Sequence, residues 1–124
     1  MSPLPAAFAA ALALLTAATP VAPAKDPADA FMKKGLDALK GNDYAAFVKD
    51  GTAKLKGLPK PSFALVSAHF GPMLAKGYKT TYLTRLRKQG HAISLWKLEP
   101  AGAAEDFELK VVIEDGKVDA FSIQ

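Results

Sequence analysis

The chain has 124 residues, with sixteen Lys or Arg against twelve Asp or Glu, two His and no Cys. The missing cysteine excludes a disulfide framework, thiolate metal ligation and an acylated lipoprotein anchor. A net charge of +4 without a recognised binding motif gives no case for nucleic acid.

Residues 1–24 carry no charged side chain and are rich in Ala, Leu and Pro. The apolar run Ala6–Ala18 would be roughly 20 Å long as a helix, short of a ~30 Å bilayer core. Ala22-Pro23-Ala24 then places small residues where a signal peptidase reads. Residues 1–24 are therefore expected to be a secretory leader, cleaved before Lys25. The product would be periplasmic or extracellular, with no membrane span. Residues 25–124 then form one domain, which buries about two-thirds of its unfolded surface and has only that core to hold it.

Asp26-Pro27 is a good helix opening, since Asp caps free amides and Pro has no amide to waste. The first helix is expected to reach about Lys40, with Phe31, Gly35 and Leu39 on one stripe and Met32 and Leu36 beside it. Gly41 should end it. Asn42 or Asp43 then caps a second helix that buries Tyr44, Phe47 and Val48. Lys54–Pro61 reads as a basic connector. Ser62 caps a third helix with Phe63, Val66 and Phe70 on one side, and Gly71-Pro72 should kink or end it.

From Tyr78 the period becomes two. Tyr78, Thr80, Tyr82, Thr84 and Leu86 alternate with Lys79, Leu83, Arg85 and Arg87. Gln89-Gly90 turns the chain into His91–Leu98, which is apolar on both faces: Ile93 and Leu95 on one, Trp96 and Leu98 on the other. Phe107, Leu109, Val111 and Ile113 share a face of the next strand. Asp115-Gly116 is a strong hairpin signal, because a type I′ turn needs positive φ at both central residues. That turn sets Glu114 against Lys117, Ile113 against Val118 and Val111 against Ala120. Val112, Phe121 and Ile123 then fall on the opposite face. The expected fold class is α+β: three N-terminal helices packed on one face of a curved four-stranded antiparallel meander. Its second face would be too apolar for water alone, which points to a homodimer through the outer sheet face.

Charge is uneven along the chain. Residues 51–98 hold nine basic and no acidic side chains, and residues 99–124 hold seven acids and two Lys. One account is a basic surface for an anionic envelope component or ligand. The plainer one is that folding sets basic and acidic strands side by side.

Three stretches, ALKGNDYAAFVKD (Ala38–Asp50), LAKGYKTTYL (Leu74–Leu83) and FELKVVIEDGKVDAFSI (Phe107–Ile123), resemble the nuclear transport factor 2-like, or cystatin-like, superfamily of cone-shaped α+β domains. Within it the chain is similar to small exported bacterial domains of unknown function. The resemblance implies a curved sheet wrapped around the first helix, a pocket between them, and dimerisation in many members. Its enzyme branches, steroid isomerases and dehydratases, place acid/base Asp, His or Tyr inside the cone.

No nucleophile elbow, phosphate loop or dinucleotide fingerprint is present. No cofactor is expected. Nor is a metal, since the two histidines are far apart in sequence and no tight carboxylate cluster is visible. The ligand-binding candidates are Tyr44, His69, Tyr82 and Trp96. His69 is the one that could act as a base, having a pKa near neutral. Arg85, Arg87, Lys88 and His91 form a basic tip, partly neutralised by Glu114 and Asp115. Asp43 would lie at the cone mouth if the resemblance holds, but it is more simply a helix cap. The leading reading is a non-enzymatic exported module binding a small ligand or a protein. The alternative is a small isomerase- or dehydratase-type enzyme with an acid/base site inside the cone. A cone filled by Phe31, Phe63 and Phe70 would end that alternative; an open cavity holding a polar side chain would favour it.

Overall fold

The computed structural model describes residues 26–124. The expected leader and its cleavage point lie outside them. Helix α1 (Asp29–Gly41) starts later than the Asp-Pro signal suggests. Asp26, Pro27 and Ala28 form a preceding turn, in which the Ala28 amide donates to Asp26 Oδ1 at 2.7 Å and the Asp29 amide to the Asp26 carbonyl. At the far end Asn42, rather than Gly41, takes the left-handed conformation (φ 53°) that releases the chain. Asp43 caps α2 (Tyr44–Val48) by accepting from the Ala46 amide.

The basic connector contains a helix of its own, α3 (Ala53–Lys56), capped by Thr52. The described residues thus hold four helices where three were expected. The last, α4 (Lys60–Ala75), begins before Ser62 and continues past Pro72. Packing explains why the proline does not end it. Ser67 Oγ donates to the Leu39 carbonyl at 2.6 Å, and a Cβ on Gly71 would sit 3.2 Å from that same oxygen. The helix is pressed backbone to backbone on the end of α1, and Leu74, one turn on, is fully buried. Losing that burial would cost about 1.5–3 kcal/mol, which offsets much of the roughly 3 kcal/mol penalty of an interior proline.

Strands β1 (Tyr78–Lys88), β2 (His91–Pro100), β3 (Phe107–Glu114) and β4 (Lys117–Ile123) form one antiparallel sheet in chain order. Both tight turns, Gln89-Gly90 and Asp115-Gly116, have positive φ at each central residue. Glu114 faces Lys117 and Ile113 faces Val118, as the turn dictates. Beyond them the register slips by one. Asp119 is the extra residue of a β-bulge, so Val111 faces Phe121 rather than Ala120. A one-residue slip moves every later side chain to the other face. Phe121 and Ile123, expected outside, therefore join the core side with Val111 and Leu109.

Leu83 does the same in β1: Tyr82 pairs with Trp96, but Thr84 pairs with Leu95. Arg85, opposite Ser94, thus shares the face of Tyr82 rather than that of Lys79. The helices cover this inner face. The core joins Met32, Leu36 and Leu39 of α1 and Phe63, Phe70 and Leu74 of α4 to Trp96, Leu98, Leu109 and Val111 of the sheet. Two of the side chains behind the homodimer expectation have thus left the outer face, which keeps half-buried Ile93, Leu95 and Val112. The charge imbalance finds neighbours within the sheet: Lys79 pairs with Glu99 and Lys97 with Glu108.

Candidate functional site

Between α3, α4 and β4 the inner face is not filled. A cavity of about 420 Å³ opens there. Phe47, Phe63, Phe70, Phe121, Ile123 and Leu58 line it, with Leu39, Leu55 and Val66. Phe63 and Phe70 wall this space without filling it, and Phe31 packs elsewhere, near Gly35 and Phe121. Its polar lining is Lys54, Ser62, Asp119 and Ser122.

Asp119 is 8% exposed. As the bulged residue of β4 it is turned out of the regular alternation and toward α3. Thr52, which caps α3, donates its hydroxyl to Asp119 Oδ1 at 2.9 Å. Lys54 Nζ lies 3.6 Å from Oδ2. Behind it, His91 Nε2 is 3.7 Å from Asp119 Oδ2 and 3.4 Å from Glu114 Oε2. His91 Nδ1 lies 3.0 Å from the Gln89 carbonyl. A carbonyl only accepts, so Nδ1 carries the proton and Nε2 is left facing two carboxylates.

The residues picked out from the sequence lie apart from this cavity. Tyr44 packs edge-on against Phe63 and donates its hydroxyl to the Leu58 carbonyl at 2.6 Å. His69 is exposed and stacks edge to face on Phe70. Asp43 caps α2. Tyr82 and Trp96 touch edge to face at 6.0 Å on the inner sheet face. Beside them Ser94 Oγ donates to Asp26 Oδ1 at 2.9 Å. Tyr82's phenol is held above its ordinary pKa by desolvation and then by the Asp26 carboxylate, against an opposing Arg85.

Of the basic tip, Arg85, Arg87 and Lys88 are exposed, whereas His91 turns to Glu114 and Asp119. The carboxylates that the sequence did not show as a cluster are thus gathered by the two hairpins. Thr52, Lys54, Glu114 and Asp119 are the site residues that sequence reasoning missed. The one available sign was an acid between Val118 and Ala120-Phe121, where the apolar alternation breaks.

No protein-family model matches the chain, and no curated protein matches it. Among solved structures, a chain described as a "putative polyketide cyclase" from Sinorhizobium meliloti is similar at a TM-score of 0.45 and 16% identity, over 81% of this chain and 100% of that one. The leading expectation, a non-enzymatic binding module, is corrected here: the cavity is open and holds a buried carboxylate, the condition that favours the alternative.

Proposed function

We propose that this is a small acid/base enzyme of the isomerase or dehydratase kind, exported, and of the nuclear transport factor 2-like superfamily. Its substrate class is an apolar small molecule with an activated C–H bond next to a carbonyl. One observation carries the reading: a buried carboxylate, Asp119, stands in the wall of a largely apolar cavity of about 420 Å³. Pockets of this size and lining hold small ligands by burial and orient them with few polar groups.

Asp119 takes the proton from carbon, and Thr52 holds its Oδ1 so that the carboxylate cannot rotate away. The Lys54 ammonium, beside Oδ2, offsets negative charge developing on the substrate oxygen. Returning the proton to another carbon gives an isomer; returning it to a departing hydroxyl gives dehydration. Export is supported by the leader-like composition of residues 1–24.

The test is proton exchange in D₂O, followed by NMR on a panel of cyclic ketones and enones. The wild type should catalyse exchange at the carbon next to the carbonyl, and Asp119→Asn should slow it by roughly 10²–10⁴-fold. Val66→Trp, built to fill the cavity mouth, should abolish it. Undiminished exchange by Asp119→Asn, or no exchange on any member of the panel, would sink the proposal.

A further inference from the structure

We infer that His91, Glu114 and Asp119 form a binding site for a divalent transition cation, Zn²⁺ being the best fit. One ligand atom from each lies within 4.8 Å of the others. The measured separations from Nε2, 3.4 and 3.7 Å, are close to the edge of a tetrahedral zinc site, about 3.4 Å for ligand bonds of about 2.1 Å.

The outer contacts of the cluster point the same way. The Gln89 carbonyl, outside the cluster, takes the Nδ1 proton, which leaves Nε2 as the ring atom that faces the two carboxylates. A backbone carbonyl behind the imidazole and a hydroxyl behind Asp119 Oδ1 are also the outer partners that orient metal ligands. The three residues come from the start of β2, the end of β3 and the bulge of β4, so sheet pairing fixes their spacing before any ion arrives.

Three lysines stand against the site. Lys88 and Lys110 line the same depression. Lys54 lies 3.6 Å from Asp119 Oδ2 with 73% of its side chain exposed, and it swings into solvent when a cation takes that oxygen. The inference goes beyond the proposed activity and stands without it. A bound cation occupies the carboxylate proposed as the base, so the two uses of Asp119 exclude one another.

The experiment is calorimetric titration of Zn²⁺ alone into the purified, metal-stripped chain at neutral pH. One equivalent should bind. His91→Ala and Glu114→Gln should each weaken binding by about 10–100-fold, Lys54→Met should strengthen it several-fold, and His69→Ala should leave it unchanged. Glu114 ends β3 with 45% of its side chain exposed, so its variant keeps the metal-free melting temperature and separates binding from folding. In parallel, ¹⁵N NMR of the His91 ring should show Nε2 shifting on zinc addition while Nδ1 keeps its proton. Absence of binding would overturn the site, as would affinity that depends on His69, or a His91 ring protonated on both nitrogens and indifferent to zinc.

Discussion

Gly35 offers the sharpest test of where the sheet places its aromatic residues. It lies on the buried face of α1. A Cβ there would come 2.7 Å from Cζ and 2.9 Å from Cδ2 of Phe121, distances that real Cβ atoms do not tolerate. Were Phe121 on the outer face, Gly35→Ala would simply exchange a poor helix former for the best one and stabilise by about 1 kcal/mol. With Phe121 inside, the methyl must displace a ring already boxed in by Phe47, 5.3 Å away edge-on. Overpacking of that kind costs about 1–3 kcal/mol. Three ring atoms inside contact distance argue for the upper part of that range, leaving a net loss of about 1–2 kcal/mol after the helix gain. In a Phe121→Leu background the obstacle is gone, so the same substitution should become neutral or mildly stabilising. Urea melts of the four proteins give the coupling energy directly. A Gly35→Ala that stabilises the parent, or one that changes stability equally in both backgrounds, would refute the bulged register.

Val111→Asp places an unpaired charge among fully buried neighbours and should remove the cooperative thermal transition. Arg87→Glu, at the exposed tip, should stay within about 0.5 kcal/mol of the parent in the same melt. Stability should also fall at alkaline pH. Tyr78 is raised above 10.0 by burial, then by Asp37, against Lys33; Tyr82 is raised by desolvation, then by Asp26, against Arg85. The folded chain thus holds these protons more tightly than the unfolded one. The contribution is complete below the unfolded value and is lost as pH rises through the folded one. Denaturant midpoints measured from pH 8 to 11 should show that decline, and it should be shallower in Tyr78→Phe and Tyr82→Phe.

What was legible in the sequence was local. Asp115-Gly116 announced its turn because few residues accept positive φ, and the next two residue pairs followed from it. The alternation of β2 gave its two faces correctly for Ile93, Leu95, Trp96 and Leu98. What stayed hidden depended on a single inserted residue. Val118-Asp119-Ala120-Phe121 breaks its apolar alternation at Asp119 without saying which register follows, and the bulged one is the register that packs Phe121 on Gly35. Pro72 misled in the same way, since the contact of Ser67 and Gly71 with Leu39 that keeps α4 whole is tertiary. The candidate site was invisible for the sum of these reasons. His91, Glu114 and Asp119 meet because two hairpins end side by side, and Asp119 reaches Thr52 because the bulge turns it.

The two rims of the sheet are treated differently. At β4 a short parallel bridge from Gly51 to Val118, with the Thr52 amide donating to the Val118 carbonyl, occupies the start of the free edge. The far side of β1 has no strand beside it among the described residues. A strand added from outside at β1 would have to pass the irregularity at Leu83 and run along Lys79, Arg85, Arg87 and Lys88. Two copies approaching rim to rim would bring like cations together. The basic middle of the chain thereby doubles as a guard against fibre growth, the use to which natural proteins put lysines and bulges on open strands.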